Sequence, residues 1–218
     1  MPSNEGSTIE NTGQLDAVQV RLPSTLSNAF VFACSGIVNT IQTQRNMKIH
    51  IFCGLLVALF MMAFSLEPAS ELALFVCVSL VLSAELINTA LEAVVNVCSP
   101  GFNPVAKIAK DAAAGAVLVV AIGSILVLVS IAWPLFSDLN ALVSQVKVFA
   151  IPAATIIMSE LYLLFFKKGK KSILYALAAL LSLWPFIQNA RTIASVALAG
   201  ALISISALCA LREKATVA

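Results

Sequence analysis

Glu85, Asn88, Glu92 and Asn96 step by three, four and four along "SAELINTALEAVVN", residues 83–96. At 100° per residue they fall on one face of a helix, with Thr89 close to the same stripe. Glu85 and Glu92 are separated by about 10 Å along such an axis. That is too far to share a proton and suits two separate tasks on one substrate. The stripe sits inside a long apolar run, where ionisable side chains are by default functional. The bland alternative is a polar seam gluing helices together. A second cluster follows in "NPVAKIAKD", with Lys107 and Asp111 at i,i+4 and Lys110 beside Asp111. It lies where a helix begins, so lysine and helix N-terminus together offer an anion site. Interface snorkelling with an i,i+4 ion pair is its structural counterpart. Carboxylates hold Mg²⁺ and lysine complements phosphate. From these residues alone the site handles charge at a membrane face, and a transporter or cation path along Glu85 and Glu92 fits as well.

The elements that must position these residues are membrane helices. Of the 218 residues, 60% are hydrophobic and 11% charged, and the mean hydropathy is +0.98. Apolar runs of about 18 residues recur, which predicts an all-α integral membrane protein. The alternating short strands of a membrane barrel are absent. A net charge of +2 offers no broad basic surface, so nucleic acid is not expected as a partner. The five cysteines have no CxxC spacing and read as small apolar fillers. Residues 1–23 are polar, lack the pattern of a signal peptide, and are expected to form a disordered tail.

Residues 24–45 carry Leu26, Phe30, Ala33, Ile37 and Ile41 at steps of three and four, predicting an amphipathic helix in the membrane interface. Six spans are then expected, at 49–66, 72–97, 112–133, 146–166, 173–187 and 193–211. With both termini cytoplasmic, the inside segments hold eleven of the thirteen basic residues, leaving Lys147 and Arg191 outside. The "KKGKK" segment at 167–171 is expected to meet anionic headgroups. Glu160, the single acidic residue within the last three spans, is expected to face a neighbouring helix or the interface.

"AELINTALEAVVN" followed by "SPGFNPVAKIAKDAAAGAVL", with "TQRNMKIH" before the first span, resembles the prokaryotic diacylglycerol kinase family, which includes undecaprenol kinases. The resemblance covers about residues 24–133. It divides the chain into the tail, a diacylglycerol-kinase-like membrane domain at 24–139, and a three-helix extension at 140–218. It implies a multi-pass kinase of the bacterial cytoplasmic membrane, commonly a homotrimer. Such an enzyme transfers the γ-phosphoryl of MgATP to a lipid hydroxyl at the cytoplasmic surface. Glu85 matches the general base and Asn88 a polar residue beside it. Glu92 matches a metal ligand. Gly101, Phe102 and Asn103 match a nucleotide-contacting loop, and Lys110 and Asp111 the nucleotide-binding pair.

The chain departs from the family pattern at Gln44, where an amide stands in place of the Glu expected as second metal ligand, and at Asn96, which replaces an Asp. Thr25 and Asn28 stand where basic residues are common. A kinase-derived protein without activity is therefore a third reading, with Gln44 as its argument. "TQRN.KIH" and "NPVAKIAKD" look more like Gram-positive-type members, which favour the polyprenol over diacylglycerol.

Overall fold

The computed structural model describes residues 25–64, 66–166 and 171–212. The N-terminal tail and Lys167, Lys168 and Lys170 of the basic segment lie outside these residues. Helix α1 (Leu26–Thr43) begins at Thr25, whose hydroxyl accepts from the Asn28 backbone N–H at 3.3 Å. It ends at Gln44, which turns extended (φ −101°, ψ 122°). Its expected apolar stripe divides in two. Ile41 is buried, whereas Leu26 and Phe30 stand exposed, as suits a helix lying on a lipid surface.

Helix α2 (Arg45–Phe64) follows at once and is joined by a short link to α3 (Pro68–Cys98). The 31 residues of α3 make a rod of about 46 Å. That exceeds a hydrocarbon core of about 30 Å, so one end of α3 stands clear of the lipid chains. Helix α4 (Pro104–Ala132) returns alongside α3. Its start is fixed locally: Pro104 takes the first position, where no N–H is needed, and the Asn103 side chain accepts from the N–H groups of Val105 and Ala106 at 2.9 and 3.4 Å. A 3-10 turn at Trp133–Ser137 leads to α5 (Leu139–Phe165).

The expected fifth span is broken into α6 (Lys171–Ser182) and α7 (Trp184–Asn189). The cause is Pro185, which cannot donate to residue 181 and whose ring crowds that carbonyl. The turn tightens instead, with the Leu183 N–H on Leu180 O at 3.2 Å. Helix α8 (Ile193–Leu211) closes the bundle. Among the described residues, six stretches are long and apolar enough to cross a membrane, the α6–α7 pair counting as one.

The C-terminal helices are not peripheral to α2. Leu55, Ala58 and Met62 of α2 share one core with Leu198, Leu202 and Ile203 of α8, and with the stacked rings of Phe149 and Phe186 (centroids 4.6 Å apart). In lipid, apolar burial supplies no net drive between helices, so close packing and hydrogen bonds hold them. Gly54 serves that packing: a Cβ there would lie 2.9 Å from Val78 Cγ1 of α3. Glu160 faces a neighbouring helix, fully buried, and accepts from the Ser206 hydroxyl of α8. Gln42 donates to the carbonyls of Cys209 and Arg212. The α1–α2 joint and the end of α8 therefore lie at one end of the bundle, as an even number of spans requires.

Candidate functional site

The polar stripe of α3 is graded in burial. Glu85 is 2% exposed and Asn88 7%. Glu92 is half-buried and Asn96 exposed. The gradient follows from helix length: α3, with 31 residues, runs past the 20-residue α2, so the end of the stripe nearest α4's start is the more exposed. Among the described residues no donor reaches the Asn88 amide oxygen, although it is buried. A buried acceptor without a partner is costly. Thr89 lies on the same side but spends its hydroxyl on the Glu85 backbone carbonyl at 2.9 Å.

Across the α3–α4 turn, Lys110 Nζ donates to Asn96 Oδ1 at 2.5 Å. Lys110 is therefore paired with the stripe rather than with adjacent Asp111. Asp111 takes Lys107 at 2.6 Å, with side chains 65% and 63% exposed. An exposed pair of this kind is worth about 0–1 kcal/mol, so it orients rather than stabilises. Gly101 is exposed and a Cβ there would meet nothing within 4 Å. The loop's own packing makes no use of this glycine. Phe102 is 88% exposed. Asn103 is spent as the cap of α4. Gln44 is half-buried at the α1–α2 joint, its backbone N–H on Thr40 O at 2.8 Å.

Among the described residues no three His, Cys, Asp or Glu side chains are grouped to hold a metal. The Glu92 carboxylate and the Gln44 amide oxygen are hard oxygen donors by type. They fit Mg²⁺, which takes oxygen ligands and commonly only one or two carboxylates, with substrate phosphates completing the set.

The sequence reading missed a groove of about 520 Å³ between α2, α3 and α4. Cys53, Val57 and Phe60 form one wall, Val78 and Val81 the second, Leu128 part of the third. Leu74, Val78 and Val81 precede Glu85 at the same helical steps as the stripe. That continuation was the available signal. Asn96 stands beside Lys110 and the helices run antiparallel, so Glu85, about eleven residues back along α3, comes level with Ala121 of α4. Ala121 lines the groove. Glu85 is not itself a lining residue, but it lies one helical turn beyond Val81 on the same face, and half-buried His50 lines the groove from α2.

A sequence profile of the prokaryotic diacylglycerol kinase family matches residues 31–132, from α1 through α4. The chain is 38% identical over 101 residues to the undecaprenol kinase of Bacillus subtilis, covering 80% of that protein. The chain belongs to this family. It is also 41% identical over 100 residues to a diacylglycerol kinase of Synechocystis, covering 57% of that protein, and each match takes in 45% of the present chain. The chain thus spans somewhat over half the length of the Synechocystis relative. No solved structure matches. The family profile ends where α4 ends, so α5–α8 lie beyond it.

Proposed function

We propose that this member of the family is a lipid kinase that transfers the γ-phosphoryl of ATP to the hydroxyl of a membrane lipid alcohol. The observation that carries the reading is that the apolar groove and the Glu85–Asn88–Glu92 stripe occupy one continuous face of α3. A lipid alcohol has the same layout, a hydrocarbon chain ending in a hydroxyl. With the chain in the groove, the hydroxyl comes to Glu85, and the phosphates come from the watery side where Glu92 and Lys110 stand.

In this reading the Glu85 carboxylate takes the proton as the lipid oxygen attacks the γ-phosphorus, and ADP leaves with the bond electrons. Asn88 orients the acceptor. Lys110, steadied by Asn96, meets phosphate oxygens, and Gly101 and Phe102 lie where the nucleotide passes. Phosphoryl transfer asks chiefly for positioning and charge neutralisation. Glu92 and Gln44 are the residues that would hold Mg²⁺. Bound there, Mg²⁺ would supply charge neutralisation at the phosphates. The positive-inside count supports a cytoplasmic site in a bacterial inner membrane. The family resemblance supports a homotrimer, and α4 buries only Ala113 and Val117 within the single chain.

The test is transfer of label from γ-labelled ATP, in vesicles, to diacylglycerol and to undecaprenol side by side. Mg²⁺-dependent labelling of either lipid is expected. Labelling of neither, with ion movement along the stripe instead, refutes the reading in favour of transport.

A further inference from the structure

The groove wall formed by α2 is held from behind by residues outside the segment shared with the family. One side of α2 faces the groove through His50, Cys53, Val57 and Phe60. Its other side, with Met47, Ile51, Leu55 and Met62, is buried in the core shared with α8. Gly54 stands between the two sides. A Cβ at Gly54 would lie 2.9 Å from Val78 Cγ1 in front and 3.4 Å from Leu202 Cδ1 behind. At this level α2 is therefore clasped between α3 and α8 at contact distance.

Both ends of α2 are tied to the extension as well. Gln42, just before α2, donates to Cys209 O and Arg212 O at 3.0 and 3.2 Å. At the other end Asn189 donates to Met62 O and Ala63 O at 2.7 and 2.9 Å, taking up carbonyls that the end of a helix leaves open. Thr192 donates to Glu71 in the first turn of α3, a carboxylate 1% exposed. Helices in lipid sit where contacts and hydrogen bonds put them. α7 and α8 accordingly contribute, together with α5, to setting the position of α2 relative to α3 and α4.

We propose that α8 is the fixed back wall of the lipid-chain groove, and that Leu202 is a positioning residue that sets the groove's width at Gly54. This rests on the reading that the groove holds the chain of a lipid alcohol. Leu202 touches no substrate and acts through α2. Its removal lets α2 settle back toward α8, which widens the groove. An unbranched acyl chain then loses wall contact, whereas a methyl-branched polyprenyl chain tolerates the wider channel. The extension thereby becomes part of what selects the lipid.

The experiment uses the full chain in vesicles with Leu202→Ala, Leu202→Val and Leu202→Met. Expected for Leu202→Ala is a lipid KM at least threefold higher for diacylglycerol, with ATP KM unchanged. The undecaprenol-to-diacylglycerol ratio of kcat/KM should rise by at least as much. Leu202→Val should be intermediate and Leu202→Met close to wild type. A second readout needs no turnover: lipid alcohols carrying a diazirine on the chain, photolysed and mapped by mass spectrometry. Wild type should be labelled on groove residues such as Phe60 and Leu128, and Leu202→Ala severalfold less by the acyl probe. Unchanged lipid KM and unchanged labelling overturn the proposal, as do ATP and lipid KM rising together. Absence of groove labelling in wild type overturns it even where transfer occurs. Labelled groove residues with a Leu202 effect, but no transfer by wild type, leave the back wall standing and refute only the kinase reading.

Discussion

Lys110 and Asn96 form a hydrogen bond across the α3–α4 turn, Nζ to Oδ1 at 2.5 Å. The contact fixes the register of the two helices at the end where they leave the lipid. It also holds the Lys110 ammonium group at Asn96, one helical turn along α3 from Glu92. An amide accepts this bond without neutralising the lysine, so Lys110 keeps its full charge for phosphate. Asn96→Ala should raise ATP KM about three- to tenfold and leave lipid KM unchanged. A charge-assisted bond is worth about 1.5–3 kcal/mol when shielded and less at this exposed site. Steady-state kinetics with each substrate varied in turn check this. Equal rises in both KM values would show that the bond only holds the hairpin together.

Gln44 sits at the joint between α1 and α2 with an uncharged amide. In the proposed metal site, replacing it by Glu would add a second carboxylate to that of Glu92. Gln44→Glu should lower the Mg²⁺ concentration for half-maximal transfer about three- to tenfold, because Mg²⁺ favours charged oxygen ligands. A Mg²⁺ titration at saturating ATP measures it. An unchanged midpoint would remove Gln44 from the metal site.

Glu160 and Ser206 are both fully buried, joined to each other between α5 and α8, and distant in sequence from the stripe. Glu160→Ala strands the Ser206 hydroxyl and leaves a void. Thermal unfolding in detergent should show a loss of about 1–2 kcal/mol, at the upper end for interhelical polar contacts in membranes. Glu160→Gln, which keeps an acceptor oxygen, should lose less than half of that. Transfer by the folded fraction should stay within about twofold of wild type. A specific loss of turnover in Glu160→Gln would give this carboxylate a role beyond packing.

Much of the fold was legible because lipid demands long apolar helices, and length and composition alone reveal those. The stripe was legible for the same reason, since Glu85 and Glu92 stand out against apolar neighbours at helical spacing. The break in the fifth span came from Pro185, whose effect on residue 181 decides the geometry although hydropathy runs on across it. Three features were hidden. Asn96 looked like a lost acidic residue, and only the α3–α4 packing shows it as the partner of Lys110. The groove is built from Cys53, Val57, Val78 and Leu128 on three helices, and no single segment signals their convergence. The role of α8 was hidden too, since an apolar helix looks alike whether it faces lipid or packs against α2. Its contact at Leu202 with Gly54 depends on pairing over nearly 150 residues.

The central claim is that Glu85 is the base at the head of a lipid groove, and Glu85→Gln tests it most directly. The measurement is the rate of γ-phosphoryl transfer from labelled ATP to the preferred lipid alcohol, alongside MgATP binding to the same protein. The amide keeps size and polarity but cannot accept the proton. The account predicts a fall in kcat of about 10²–10⁴-fold, with MgATP affinity within about twofold of wild type. Transfer at the wild-type rate by Glu85→Gln would contradict it.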